Sequence, residues 1–552
     1  MKNRFFKYVS QNILAMIGLS LYILADTYFI SKAVGANGIT ALNMALPVYG
    51  VIFALGQMVG VGSAIRYSIV KEQYRNSNKD GSNECDKYFS GALFWGLVIG
   101  VIFAVLGLVF PDKIVEIMGG DETIVAIGVP YFRIFMSFSP FFIFNYTCNA
   151  FVRNDGNPSV SMAATLISSL FNIVFDYILM FPLGMGMPGA ALATALSPVV
   201  GVMICMIHFL SKKNTVKFKW FKTSLTRLFH CCQVGMSAFV GEMSGAVIVM
   251  VFNFIILRLT GNIGVAAYGV VANTALVAVA VFNGVALGSQ PLISESYGKH
   301  NIKDIKLIEK LGVATALGLA VIIVIMIWGF TDTIVGVFNS QGSDRLLSLA
   351  RVGLRIYFIG FLFAGINIFC SSALSAMASV KWAFVLSILK GFVVVNVCAA
   401  ILAPIFGMNG VWVAFPLSEF ILLIISGFAM KKSIGALESE IAGNVSCFFN
   451  EIVKKEYMEK NPLKVLEDVY AIILDRKANP KEGSYTNYLF DKGLDKILKK
   501  IGEEASEIII AAKNPDPEDI KYEISDFMYH MMVLMAEKGV TWEEITQELS
   551  QR

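Results

Sequence analysis

Twelve apolar runs follow one another between residues 8 and 431, each close to or above the roughly 20 residues a helix needs to cross a bilayer's hydrocarbon core. They lie near 8–33, 42–70, 88–110, 124–151, 160–181, 187–210, 232–259, 268–296, 310–329, 345–376, 382–404 and 409–431. In lipid every backbone N–H and C=O must find a partner within the protein, and unbroken runs of this length select helices. Composition agrees: 56% of the residues are hydrophobic and 16% charged, against roughly 25% charged in a soluble domain. The net charge of +4 is small; the partner it leaves room for is the lipid bilayer, and no nucleic acid is expected. Eight scattered cysteines offer no CxxC pair and no metal-ligand spacing, and Cys231-Cys232 beside His230 reads as a helix start. The first run is too long for a cleavable leader, and no small-residue cleavage site follows it.

Lys and Arg set the orientation. The even loops carry Lys71, Arg75, Lys79 and Lys87, then Arg153, then Lys212, Lys213, Lys217, Lys219, Lys222 and Arg227, then Lys299, Lys303, Lys306 and Lys310, then Lys381. The odd loops are nearly empty of them. With Lys2, Arg4 and Lys7 at the start, the expectation is a multi-pass plasma-membrane protein with both termini in the cytoplasm. Pro47, Pro130, Pro140 and Pro198 fall inside runs, which neighbouring helices can accommodate by satisfying the freed carbonyls.

The two halves repeat. GMPGAALATALS at 186 is similar to GMNGVWVAFPLS at 407, and VGANGITAL at 34 to TGNIGVAAY at 260, at offsets of 221 and 226 residues. The expected fold is all-α: a twelve-span bundle over 1–432 made of two parallel six-span lobes, about 1–210 and 228–432, then a linker over 433–461 and a small soluble helical domain over 462–552. Parallel repeats with a site between them are a transporter pattern. LYILADTYFISKAVG in span 1, FVRNDGNPS after span 4 and LFNIVFDYILMF in span 5 resemble the multidrug and toxic compound extrusion (MATE) transporters. That resemblance implies export of organic, often cationic, drugs or metabolites against an H⁺ or Na⁺ gradient by rocking of the two lobes. A flippase for lipid-linked precursors stays open as an alternative for the membrane part.

Ionisable groups inside a membrane are costly and mark function by default. Asp26 lies about seven residues from the outer end of span 1 and Asp176 about five from that of span 5, so they share a depth; Asn172 is one turn from Asp176 on the same helix face. These three form the candidate ion-coupling site for Na⁺ or a proton, and the MATE resemblance implies the same residues. Neither acid has a counterpart in the second half: the matching positions are Phe252 and Val397, Cys398 or Ala399. Glu242 in span 7 is the candidate cavity residue for cationic compounds. Lys390 and Glu419 read as a structural pair.

After Lys432 apolar residues recur at helical spacing, as in Leu463, Leu466, Val469, Tyr470 and Ile473. Glu504 and Glu507, and Glu523 and Asp526, are each three apart and share a helix face. Counted from Pro515, Glu507 and Glu523 are equally distant, as are Glu504 and Asp526, so an antiparallel hairpin brings the four acids to matching heights. Such carboxylates suit Mg²⁺ or Mn²⁺, with Glu503 adjoining as a fifth catalytic candidate. Lys492, Lys496, Lys499 and Lys500 are the candidates for substrate phosphates. The pattern expects a metal-dependent nucleotide pyrophosphohydrolase.

GSYTNYLF and KKIGEEASE, within a longer stretch from Val465 to Gly539, resemble phosphoribosyl-ATP pyrophosphatase, an all-α relative of the MazG-type hydrolases. The resemblance implies that water cleaves phosphoribosyl-ATP to phosphoribosyl-AMP and pyrophosphate, a step of histidine biosynthesis, and that the domain forms homodimers. His530 reads as packing rather than as a metal ligand. A non-catalytic nucleotide-sensing tail, or two adjacent genes joined artificially with Met458 as the start of the second, stay open beside this reading.

Overall fold

The computed structural model describes residues 1–551 apart from 77–80, 222–223, 339–342, 458–463, 482–483 and 514–516; the side chains of 36, 246, 439–457, 464, 517 and 518 are also outside the description. Lys79 and Lys222 of the basic loops, Met458, Leu463, Gly483 and the Asn514-Pro515-Asp516 turn therefore lie outside the described residues. Among the described residues every regular element is a helix. The chain divides into two compact units, Met1–Ser433 and Ile434–Arg552.

The first unit opens with α1 (Lys2–Ala33), α2 (Ala36–Asn76), α3 (Ser82–Val109), the short α4 (Pro111–Ile117), α5 (Glu122–Ser137), α6 (Ser139–Asn154), α7 (Pro158–Met180) and α8 (Gly186–Phe209). An extended segment leads to α9 (Leu225–Thr260), α10 (Asn262–Gly298), α11 (Ile302–Gly329), the short α12 (Thr331–Phe338), α13 (Asp344–Tyr357), α14 (Phe361–Ala376), α15 (Val380–Ile388), α16 (Val394–Phe406) and α17 (Met408–Tyr457). Among the described residues eleven helical stretches are long and apolar enough to cross a membrane, α13 with α14 and α15 with α16 each counting as one; α5 and α6, bent by 46°, bring the number to twelve when the pair is counted as one span. The bend falls where Pro140 enters the first turn of α6, a position that takes proline because its missing N–H has no helical partner there. The stretch 433–457, expected as a polar linker, is helical as the end of α17.

The repeat seen in the sequence has a backbone cause. Gly35 and Gly261 stand at φ +82° and +69° just ahead of α2 and α10, and Gly186 and Gly407 at +56° and +58° at the starts of α8 and α17. A Cβ is strained in that region, so both halves keep glycine at the same two corners. Each lobe has its own aromatic-rich core: Tyr49 stacks on Phe135 at 3.7 Å in the first, and Tyr357 on Phe415 at 4.1 Å in the second.

The lobes meet through α2 on α9 and α1 on α10. A Cβ on Gly62 would overlap the Cys231 carbonyl, one on Gly235 the Met58 carbonyl, and one on Gly288 would stand 2.7 Å from the Val9 Cα. Arg4 pairs with Glu295 at 2.7 Å, and Lys299 with Glu72 at 3.6 Å. All of these lie in the first half of α1 and α9 and in the second half of α2 and α10 or, for Lys299, just past the end of α10, so the lobes close on each other at the end that carries the N-terminus. Gly235→Val should pry this seam open. Cys231, 3% exposed there, should become alkylated by maleimide several times faster, read by peptide mass spectrometry; unchanged protection would refute the close backbone approach as the seal.

The second unit holds α18 (Lys464–Ala478), α19 (Tyr485–Lys492), α20 (Leu494–Ala511), α21 (Pro517–Lys538) and α22 (Trp542–Ser550). Its core is small, built on Tyr470, Ile473, Leu489, Ile497, Met532 and Val533. The α20 helix lies along α21. A Thr541–Glu544 capping box starts α22, satisfying backbone donors that a helix start leaves open.

Candidate functional sites in the two units

In the first lobe α1 and α7 run side by side. The Gln11 Nε2 donates to the Ser159 Oγ at 2.9 Å, which fixes their register. Asp26 is fifteen residues on from Gln11, and Asp176 seventeen on from Ser159, so at 1.5 Å per residue the two carboxylates differ in height by about 3 Å. Both are buried and within electrostatic reach of each other. Asn172, fully buried, donates to the Thr194 Oγ1 at 3.3 Å. The remaining oxygens are unused: the Asp26 Oδ1, the Asn172 Oδ1 and both Asp176 carboxylate oxygens have no hydrogen-bond partner in the described structure. A polar cavity of about 70 Å³ adjoins, lined by Tyr22, Gln57, Asn145, Asn149 and Thr194 among others. The three sequence-selected residues are thus placed together, and their free oxygens have the chemistry of a site for Na⁺ or a proton.

Glu242 on α9 is apart from them. Its side chain is exposed and within electrostatic reach of Tyr146, a wall of the same cavity. In the second lobe Lys390 and Glu419 approach at 3.9 Å, and Asn367 donates to Glu419 at 2.7 Å, so the acid is fully engaged.

Sequence reasoning missed a polar hub at Asp155, in the FVRNDGNPS stretch. Its Oδ1 accepts from Tyr67 at 2.5 Å, from Lys71 at 2.8 Å and from the Thr215 hydroxyl; its Oδ2 accepts from His208 Nε2 and the Thr215 N–H, both at 2.9 Å. Burial pulls the Asp155 carboxyl up, but bonds from His208, Lys71 and Thr215 outweigh it and hold the group well below the ordinary carboxylate range. The signal was the RNDGNP turn itself; its partners come from α2, from the last turn of α8 and from the segment after it, which no local pattern reveals.

In the second unit α20 and α21 bring Glu504, Glu507 and Glu523 together: one oxygen from each lies within 4.8 Å of the other two. Asp526, expected as the fourth corner, lies outside that group, although it still repels Glu507 and Glu504. Its side chain is one methylene shorter than a glutamate. Burial, then a hydrogen bond and repulsion from Glu507, push Glu523 up to about 7; burial raises Glu504 and Asp526 as well. Glu503 turns aside to Lys500 at 3.0 Å and Lys499 at 3.5 Å, and these bonds lower it. Lys500 reaches Glu504 at 3.7 Å, whereas Lys492 stands over the Tyr488 ring and Lys496 has no ion pair among the described residues. His530 is buried, with Nδ1 on the Asp526 carbonyl at 2.9 Å and Nε2 on the Tyr485 hydroxyl at 3.1 Å. Both ring nitrogens are used, so it orders the second helix against α19 rather than offering a ligand.

A proton held by Glu523 has a consequence for stability. Between the ordinary glutamate value near 4.5 and about 7 the folded domain binds more protons than the unfolded chain, so its stability falls as pH rises through that window. Protection factors over 494–538, corrected for base-catalysed intrinsic exchange, should therefore be higher at pH 5 than at pH 8 without divalent metal, and the difference should shrink when Mg²⁺ is added. Equal protection at both pH values would remove the shared proton from the account.

The fold and the sites define a two-lobed polytopic membrane protein of the transporter type, bearing a small helical domain with an acidic centre. Residues 12–178 and 238–405 match the MatE family model; the chain belongs to that family. Residues 466–552 match the family model described as phosphoribosyl-ATP pyrophosphohydrolase. Among similar proteins are the multidrug export protein MepA of Staphylococcus aureus strain RF122 / ET3-1, 26% identical over 73% of this chain and 88% of the relative, and the histidine biosynthesis bifunctional protein HisIE of Thermoanaerobacter pseudethanolicus, 51% identical over 19% of this chain and 55% of the relative. The chain spans about half the length of the HisIE relatives it matches. A solved outward-facing multidrug resistance MATE family transporter superposes with a TM-score of 0.74 at 21% identity, covering 79% of this chain and 96% of that one, which shows the shared fold.

Proposed function

We propose that the chain is bifunctional: its first unit exports organic, including cationic, drugs or metabolites across the plasma membrane, coupled to H⁺ or Na⁺, and its second unit hydrolyses phosphoribosyl-ATP. The first reading rests on the buried unpartnered oxygens of Asp26, Asn172 and Asp176, and on the family. Asn172 has an oxygen to offer Na⁺, and either carboxylate can take a proton; two close acids in low dielectric favour capturing a cation. Glu242 supplies negative charge where a cationic compound enters the cavity. The basic loops support placing both termini in the cytoplasm. Fluorescent-cation efflux from proteoliposomes under imposed Na⁺ or pH gradients tests this half; accumulation without either gradient would refute coupling.

The second reading rests on the three carboxylate oxygens gathered within 4.8 Å and on the pyrophosphohydrolase match. Three hard oxygen donors, with the Glu523 Oε2 buried and unpartnered, fit Mg²⁺ or Mn²⁺; Glu504, Glu507 and Glu523 would hold it, with Asp526 beside them. Bound there, such an ion polarises a phosphoryl oxygen and neutralises phosphate charge. Lys500, 3.7 Å from Glu504, is the cation this reading assigns to substrate phosphates, with Lys496 one turn before it on α20. In this reading the carboxylate that leaves the Glu507–Glu523 hydrogen bond takes the proton of the attacking water, yielding phosphoribosyl-AMP and pyrophosphate. Leu498, Ile509, Ile510 and Ile524 are exposed apolar side chains on α20 and α21, which supports homodimerisation through this face. Sedimentation of a soluble 458–552 fragment as a monomer at micromolar concentration would argue against the dimer.

A further inference from the structure

A cavity of about 540 Å³ lies on the flank of the first lobe, between α3, α6, α8, the start of α9 and the segment 214–221 that joins the lobes. Its wall on α3 runs from Lys87 to Leu97, about 15 Å of helix. That is half of a hydrocarbon core roughly 30 Å thick, so the cavity is one leaflet deep. Phe89, Leu93, Phe144, Val202 and Met206 make its interior apolar. Around it Leu97, Leu210 and Phe218 are exposed, and Trp220 is 85% exposed, as suits a residue seated among headgroups.

The mouth is cationic. Lys87, Lys217, Lys219 and Arg227 line it, and Arg66 lies within electrostatic reach of two wall residues, Tyr88 and Cys231. Two carboxylates face these five cations: Glu84, paired with Lys87 and with Arg227 at 3.3 Å, and Asp86, paired with Lys219 at 2.7 Å. Lys217 and Arg66 have no ion pair among the described residues, and the Arg66 Nε is buried without a hydrogen-bond partner. The joining segment is fixed rather than draped. The N–H groups of Thr215, Lys217 and Lys219 donate in turn to the Asp155 Oδ2 at 2.9 Å, the Asp86 Oδ1 at 2.7 Å and the Ser90 Oγ at 3.0 Å. Such alternation holds it extended, sending Val216, Phe218 and Trp220 to one side and Lys217 and Lys219 to the other.

We propose that this cavity binds one anionic phospholipid of the adjacent leaflet, an acyl chain filling the apolar interior and the phosphate held among Lys217, Arg66 and Arg227. A soluble anion would leave the apolar walls uncovered, and a zwitterionic lipid such as phosphatidylcholine would bring a choline cation along with its phosphate into a mouth already rich in Lys and Arg. The test is native mass spectrometry of the full chain in mild detergent, with phosphatidylglycerol and phosphatidylcholine of identical chains. One phosphatidylglycerol should be retained preferentially. Lys217→Gln should lower its retention roughly fivefold, the ratio equivalent to about 1 kcal/mol for one basic side chain at an anionic headgroup, and so narrow its advantage over phosphatidylcholine, whose phosphate is offset by its own choline cation. Leu93→Trp, which fills the interior, should abolish retention of both. Equal retention of the two lipids, or phosphatidylglycerol retention unmoved by Lys217→Gln, overturns the assignment. Lys217→Gln changes an exposed side chain only, so it remains decisive even where Leu93→Trp fails to fold.

Discussion

Glu507→Gln in the full chain should reduce Mg²⁺-dependent release of pyrophosphate from phosphoribosyl-ATP by about a hundredfold or more, the lower end of what removing a positioned proton-transfer group costs. Glu507 is the residue on which the acidic centre turns: it hydrogen-bonds to Glu523, repels Asp526 and Glu504, and gives one of the three oxygens within 4.8 Å. The amide keeps the shape but removes a charge and cannot accept a proton. Folding should not suffer, because the substitution relieves repulsion among carboxylates; the variant should unfold at an equal or higher temperature than the parent. Chelation by EDTA should silence the parent, with activity returning on excess Mg²⁺. A variant that releases pyrophosphate at the parental rate would show that the cluster is only an acidic surface. Loss of activity together with loss of folded protein would leave the cluster structural, which the relief of repulsion argues against.

The sequence made the membrane fold legible because lipid imposes a length on every span and leaves little choice of secondary structure. The paired glycine corners at 35 and 261 and at 186 and 407 were visible as a repeat for the same physical reason, a backbone conformation other residues resist. Two features escaped. The helix that continues through 433–457 was read as linker because polar composition says little about helix formation outside a core. The Asp155 hub escaped because its partners Tyr67, Lys71, His208 and Thr215 are set by tertiary packing, not spacing. In the tail, helix periodicity placed Glu504, Glu507 and Glu523 at one level, whereas side-chain length, which a count of residues from a turn ignores, set Asp526 apart.

Asp176→Asn should abolish gradient-driven export, lowering accumulation of a fluorescent organic cation in proteoliposomes by about tenfold or more while leaving the protein folded. A carboxylate kept for structure would be hydrogen-bonded; both oxygens of Asp176 are buried without a partner, and Asp26 repels it across α1 and α7. An acid buried toward the end of a membrane helix costs less than the roughly 2.5–3.5 kcal/mol that insertion scales give at the helix centre but is still unfavourable, so an amide at 176 should be neutral or stabilising for the fold. Loss of transport combined with an unchanged or raised unfolding temperature therefore separates coupling from architecture. Asn at 176 retains one oxygen for Na⁺ but has no proton to exchange: residual Na⁺-driven export would point to Na⁺, and complete loss under a pH gradient alone to H⁺. Glu242→Gln serves as the contrast, since it should weaken cation binding in the cavity and leave export of an uncharged compound intact. Full export by Asp176→Asn under both gradients would remove the first-lobe pair from the coupling mechanism.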